Sequence, residues 1–481
     1  MRTVVVGAGV GGLAAAVRLA ATGHEVTVFE QADRVGGKLG SLSHQGFRFD
    51  TGPSLLTLPE VFADLVPDLA DHLVRLDPVV RHVFPDGTIL DSTSDSAAMT
   101  AAVRNALGDK AAGDWSRVWD RAGRIWEASW RHVLRNPHPA PWRQAWRLRD
   151  LAAIRPGSTL RAATRGLDPR LRMLLDRYAT YTGSDPRRAP AALLAIPYAE
   201  LTHGGWYVRG GLARIADLLH DRARALDATV HTAMPVAGII TGSGRVRGVR
   251  LADGSQVPAD AVVANADALS VYRDLLPTPP RAHRLAARSL SGFVLLLGLR
   301  GRTPGLAHHT VWFPADYDAE FDSAFTGRLV DDPAVYVSVA DDPAVRPDGH
   351  EAWFVLVNAP PQGPVDWRAP GLAQGYADRV LDTLAARGVD VRDRVVFREV
   401  LTPADLEART LTPGGAIYGT PSHGPRGLLR PPNRGPVAGL YLVGGSVHPG
   451  GGLPLVALSA EIVAATIGPA VASRRGCPSS D

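Results

Sequence analysis

Apolar residues change period in a fixed order along the chain, short β-branched runs giving way to stretches with helical spacing. Val4, Val5 and Val6 run into glycine, the helical run Leu13 to Ala21 follows, and a second strand is expected over Glu25 to Phe29. The same strand-to-helix order recurs almost a chain length later, in Gly439 to Gly444 and Pro454 to Ile467. Between them Leu212 to Leu226 is spaced as a helix, while TVHTAMPVAGIIT, GRVRGVRL and PADAVVANA alternate as strands with turns at Gly242 to Gly244 and Asp253 to Gly254. The remaining stretches read as mostly helical, from about 75 to 200, and as strand-rich with a helix near Gly371 to Arg387, from about 280 to 405. These patterns predict an α/β chain. A Rossmann-like nucleotide-binding domain is assembled from residues 1–74, 205–279 and 406–470, interleaved with an α+β substrate domain from 75–204 and 280–405, and 471–481 form a tail.

Gly7, Gly9 and Gly12 stand in G-x-G-x-x-G register between the first strand and the first helix. In such a turn the first glycine permits the bend, the second lets backbone approach a pyrophosphate, and the third lets helix pack on strand, with the helix N-terminus facing the phosphates. Glu30, closing the second strand, is the acid expected to hold ribose hydroxyls. That turn alone serves NAD and FAD equally. A second glycine pair with a cation, Gly36, Gly37 and Lys38, and the C-terminal LYLVGGSVHPGGGLP favour FAD, gripped from both ends of the chain. A glycine run that opens a helix after a β run points to a ligand rather than to a flexible loop.

Taken in order, EQADRVGGK, FRFDTGPSLL, GGWYVRGG and GLYLVGGSVHPGGGLP resemble the phytoene desaturase family of FAD-dependent carotenoid oxidoreductases, and the likeness runs from residue 1 to about 467. YTGSDPRRAPAALLAIPYAEL, GGAIYG and RPPN also fit that family. The resemblance implies an oxidoreductase that desaturates a lipid-dissolved carotenoid by hydride transfer to flavin. It implies contacts as well: Gly7, Gly9 and Gly12 on the pyrophosphate, Glu30 on the adenosine ribose, Gly36, Gly37 and Lys38 around the phosphates, and Pro235 with Val236 bracketing adenine. Gly445 and Ser446 would lie along the ribityl and phosphate region, and Gly452, Leu453 and Pro454 would open a helix toward the flavin C2 carbonyl. Many related flavoproteins carry an acid where this chain has Gly445 and Ser446. His448 reads equally as a loop histidine bonded to backbone and as a group facing the isoalloxazine, and is the one catalytic candidate; Asp50 reads as a turn or cap residue. The segment GGSVHPGGGLPLVALSA resembles the hydroxycarotenoid 3,4-desaturases as much as the phytoene desaturases. Other enzymes of this architecture, of amine oxidase or protoporphyrinogen oxidase type, and the flavin-free isoprenoid carriers like the Rab escort proteins are the alternatives.

Composition mainly excludes. A single cysteine, Cys477, rules out a disulfide framework and a cysteine metal site, and no metal is expected. The run Thr3 to Val17 could pass for a signal peptide but holds the glycine fingerprint. No apolar run reaches the ~20 residues that span a bilayer: Phe293 to Leu299 is too short, and the helix after Pro454 carries Glu461. A cytoplasmic protein, peripherally bound to membrane, is expected. Six of the ten tryptophans fall between 115 and 146, with Trp115, Trp119, Trp126 and Trp130 on one helical face and Trp142 and Trp146 repeating the spacing. From Arg131 to Arg177 eleven arginines face three acids, so residues 115–177 suit an anionic membrane surface, with core packing as the competing explanation for the indoles. No nucleic-acid-binding module surrounds these arginines, and no nucleic acid partner is expected.

Overall fold

The computed structural model describes residues 1–137, 154–278, 282–424 and 426–470. Trp142, Trp146, Cys477 and the tail 471–481 lie outside the described residues.

Five parallel strands form the first sheet, in the order Leu440–Leu442, Ala261–Ala264, Arg2–Val6, Glu25–Phe29, Thr229–His231. Both faces must be covered for such a sheet, which explains why its strands are almost continuously apolar. On one face lie the Val10–Ala21, Arg214–Ala225 and Leu453–Ile467 helices, with Val5, Val28 and Val263 beneath them. Ala14, Ala15 and Ala16 are wholly buried, and their short side chains let the first and last helices approach closely. The antiparallel strands Val236–Gly242, Arg245–Leu251 and Gln256–Pro258 cover the other face, packing Ile239, Val246 and Val249 on Val4 and Val262. One expected strand divides: TVHTAMPVAGIIT breaks at Ala233, whose φ of +53° bends the chain, so that Thr229–His231 joins the first sheet and Val236–Gly242 the covering one.

The second sheet has seven strands, in the order Val395–Leu401, Ser291–Arg300, His350–Ala359, Val335–Val339, His309–Trp312, Val80–Val83, Ile89–Ser92. The last two strands come from the stretch read as mostly helical, and they join the strand-rich stretch through parallel pairing of Val80–Val83 with His309–Trp312. The two interleaved stretches thereby share one sheet. The Leu372–Ala386 helix packs on one face around Trp353 and Tyr376, and the Ser41–His44/Phe47–Asp50 hairpin lays Phe47 and Phe49 against Leu296 and Phe354 of the other. The Asp109–Ser129 helix, continued as a π-helical turn over Trp130–Leu134, runs beside Ala195–His203 and reaches the first sheet's core through Trp126 and Trp130. Among the described residues no helix is long and apolar enough to cross a membrane.

Candidate functional site

The N-terminal turn is built so that only glycine fits. Gly7 has a φ of +94° and donates its N–H to Phe29 O at 2.8 Å. A Cβ at Gly12 would lie 2.1 Å from Gly7 O, so the third glycine is needed for the helix to seat on the turn. At Gly9 the neighbour is a side chain: a Cβ there would sit 2.7 Å from Asn265 Oδ1. Asn265 follows the Ala261–Ala264 strand, donates its N–H to Val6 O at 2.8 Å, and gives Nδ2 to Val443 O at 3.2 Å, tying the first turn to the last strand. Sequence reading missed it; the available signal was an amide directly after a fully apolar strand.

Glu30 is buried and accepts from Ala8 N at 2.6 Å and Ala32 N at 2.9 Å. Its oxygens stand at the mouth of the turn with lone pairs to spare. Gly36 donates to Ala8 O at 2.9 Å and pairs with Gly9, and a Cβ at Gly37 would lie 3.3 Å from Gly9 Cα, so the second glycine loop rests on the first. Lys38 reaches the 414–419 segment. Its Nζ donates to Ala416 O at 3.0 Å and Ile417 O at 2.7 Å, pinning the 414–419 segment, and burial pulls its pKa down to about 8 against the raising effect of Asp267. Beside Glu30, Met234 N donates to Glu30 O at 2.8 Å and Pro235 O accepts from Ala252 N at 2.9 Å, while Val236 opens the covering sheet.

The C-terminal loop meets this turn directly. A Cβ on Gly11 would lie 3.2 Å from Gly444 N, and Gly444 donates to Ser459 Oγ at 3.0 Å in the last helix. Gly445 passes Gly451, Ser446 Oγ accepts from Ala268 N at 3.0 Å, and Gly452, with φ +99°, precedes Leu453 and Pro454 in the first turn of the helix. Neither Gly9 nor Gly452 caps its helix with a side chain. Two helix N-termini with free positive ends thus converge between glycine loops, a cradle suited to a diphosphate and to an electron-rich ring. The residues fit FAD. His448 is buried, with Nε2 2.8 Å from Asn136 O, its N–H on Pro431 O at 2.9 Å and its own carbonyl accepting from Asn433 Nδ2 at 2.8 Å. Its imidazole is thus held against the segment that follows the π-helical turn. Tyr418 stacks over the loop, its Cδ1 2.4 Å from where a Cβ on Gly451 would be.

Beyond Tyr418 lies a polar cluster that sequence reading missed. Arg177 is buried, its Cζ 5.2 Å from the Tyr181 ring, 5.8 Å from Tyr336 and 5.9 Å from Tyr178, and its Nη1 has no hydrogen-bond partner among the described residues. Burial works against its charge, and Tyr181, Tyr178 and Glu200 more than offset that. Glu200 accepts from the Tyr178 hydroxyl at 2.8 Å; its other oxygen has no aligned donor, although the Tyr181 phenol is close enough to interact. Burial raises the Glu200 pKa and Arg177 opposes the rise. The Tyr336 hydroxyl bonds Ser54 Oγ at 2.6 Å and His309 Nδ1 at 2.7 Å. Asp50 accepts from Leu212 N and Ala213 N at 2.8 and 2.9 Å, a cap as expected, with burial lifting its pKa to about 6.

The described tryptophans of the helical stripe all pack against a hydrophobic core, one of them completely. Trp115 is 1% exposed and stacks on Trp119, which meets Tyr198, while Trp126 lies between Trp130 and His203. Core packing accounts for Trp115, while Trp119, Trp126 and Trp130 are half-buried against the two cores. Arg117, Arg124 and Arg131 occupy the exposed side of the same helix and its π-helical turn.

Residues 10–468 match the family described as flavin containing amine oxidoreductase. The chain is 36% identical to hydroxyneurosporene desaturase of Cereibacter sphaeroides, over 98% of both proteins. It is 32% identical to 4,4'-diapolycopene oxygenase of a Methylomonas species, over 96% of this chain and 97% of that one. An oxidoreductase from Methanosarcina mazei shares the fold at a TM-score of 0.67 and 19% identity, over 96% of this chain and 99% of that one. With a cradle that fits FAD and a family match across nearly its whole length, the chain belongs to the flavin-containing amine oxidoreductases and is an FAD-dependent oxidoreductase.

Proposed function

We propose that this enzyme desaturates a lipid-dissolved acyclic carotenoid, phytoene or a later intermediate. The observation that carries the proposal is the meeting of Gly11 with Gly444, which places two uncapped helix N-termini from opposite ends of the chain at one site, with a tyrosine-walled region next to it. Gly7, Gly9 and Gly12 would hold the pyrophosphate, Glu30 the ribose, and Gly36 and Gly37 the loop around them, while Lys38 fixes the 414–419 segment in place. Pro235 and Val236 would border adenine, and Gly445, Ser446, Gly452, Leu453 and Pro454 the flavin end. Bound FAD supplies a hydride acceptor, so that one substrate carbon is oxidised while its neighbour loses a proton.

The chain's own residues do the rest. The N-terminus of the Leu453–Ile467 helix stabilises negative charge near Gly452. Tyr418 and the Tyr181 and Tyr336 rings wall off water and offer π-faces to a polyene. His448, bonded to Asn136 O, docks the first insertion on the C-terminal loop, a positioning role. Access from a membrane rests on exposed cations: Arg124 and Arg131 present charge for an anionic, cytoplasmic-side lipid surface. Expression in cells that each accumulate one acyclic carotenoid, followed by pigment analysis, tests the activity. New, longer conjugated systems are expected; unchanged pigments, or oxygenated ones of unchanged conjugation, would contradict it.

A further inference from the structure

The Arg177 cluster has no part in holding the dinucleotide, yet it places a cation and a carboxyl group in the interior with unpaired atoms. Buried polar groups in folded proteins are nearly always hydrogen-bonded, and an orphaned guanidinium nitrogen calls for a ligand. Arg177 Nη1 has no partner among the described residues, and the second oxygen of Glu200 has no aligned donor, only the Tyr181 phenol nearby. A guanidinium only donates and a carboxylate only accepts. A hydrocarbon would satisfy neither, a carbonyl only the cation, and a carboxylate would be repelled by Glu200. A hydroxyl answers both, accepting from Arg177 and donating to Glu200.

The surroundings suit such a group at the end of a polyene. Burial lifts the phenols of Tyr336 and Tyr418 to about 12, yet neither residue is fully buried. Ser54, bonded to Tyr336, lines a cavity together with Phe49, Tyr207 and Phe354. On the other side Tyr418 feels the Arg177 charge and overlies Gly451 of the flavin loop. The cluster therefore lies between a cavity wall and the flavin loop.

We propose that Arg177 and Glu200 anchor a terminal hydroxyl of an acyclic carotenoid and thereby set which carbon–carbon bond is oxidised. This rests on the carotenoid reading and deepens it. An unsubstituted polyene is free to slide along an apolar passage, whereas a hydroxyl fixed beside Tyr418 counts the carbons from that end and brings a bond close to it to the flavin loop.

The test uses flavin-loaded enzyme in liposomes and two acyclic carotenoids that differ only in a terminal hydroxyl. Wild type should favour the hydroxylated compound and place the new double bond near its hydroxylated end. Glu200→Gln, which keeps size and removes charge, and Arg177→Lys, which keeps charge and removes the planar fork, should each reduce that preference in kcat/KM by roughly 10- to 100-fold. The rate on the unhydroxylated compound should hold, because a merely structural role would slow both alike. Flavin content and melting temperature check each variant, and if Arg177→Lys does not fold, Glu200→Gln decides alone. Equal loss on both compounds, or no preference in the wild type, overturns the anchor and leaves the desaturase reading standing. Oxidation of neither compound by the wild type overturns both.

Discussion

The five-stranded and seven-stranded halves of the molecule are both closely packed, but the polar side chains nearest the dinucleotide cradle and those of the Arg177 cluster are used differently. At the cradle they are spent on backbone: Glu30 on two N–H groups, Lys38 on two carbonyls, Asn265 on Val443 O. What remains open there is backbone, at helix N-termini and glycine turns, and backbone is what grips a diphosphate. In the other half Arg177, Glu200, His82 and His309 each keep a buried polar atom unpaired. His309 is held well below its usual pKa by burial and by His308 and Arg177, so it stays neutral at ordinary pH. On the proposed reading, cofactor binding rests on chain geometry, whereas substrate recognition rests on a few interior side chains.

Breaking the backbone half should have the largest effect. Gly9→Val pushes a side chain into Asn265 Oδ1, and the purified variant should carry no bound flavin by absorbance; stoichiometric flavin in it would remove the turn from the cofactor site. Next comes Trp126, which touches the cores of both halves. Trp126→Ala should cost about 2–4 kcal/mol in urea unfolding by leaving a cavity, and a loss under about 0.5 kcal/mol would return this indole to the surface.

Lys38 sharpens the contrast through pH. Its folded pKa of about 8 lies below the ordinary 10.5, so between those values the unfolded chain binds more protons and stability rises with pH. The wild-type holoenzyme should gain on the order of 1–3 kcal/mol over Lys38→Met across that window, and parallel curves for the two would mean that the ammonium is not buried. The smallest effect is expected at the exposed cations. Arg124→Ala with Arg131→Ala should weaken flotation with anionic vesicles by about 1 kcal/mol per charge, less at high salt, without changing stability. Unchanged flotation would take the helix off the membrane.

How much of this was legible in the sequence follows the same division. The glycine turns, Glu30 and the helices that open after Gly9 and Gly452 could be read because special backbone conformations demand particular residues at particular spacings. Asn265 could not, since its partners Val6 and Val443 are brought together only by the sheet. Lys38 was assigned to phosphates from its neighbours in sequence, but the fold delivers two carbonyls of a segment almost 380 residues away. Arg177 and Glu200 could not be paired from sequence, since one closes the Pro169–Arg177 helix and the other lies in Ala195–His203, and the Trp115–Trp130 stripe showed its period but not the elements that would cover it. The short hairpin of Val80–Val83 and Ile89–Ser92 escaped notice because the sheet it extends, through His309–Trp312, lies more than 200 residues on.

The most direct test of the desaturase assignment is mass analysis of a single anaerobic turnover, with the flavin-loaded enzyme in anionic liposomes and an acyclic hydroxycarotenoid. A product lighter by two hydrogens, formed in step with loss of the oxidised flavin absorbance, is the expected result. Oxidised flavin that persists beside an unchanged carotenoid, or a product that has gained oxygen instead, would contradict it.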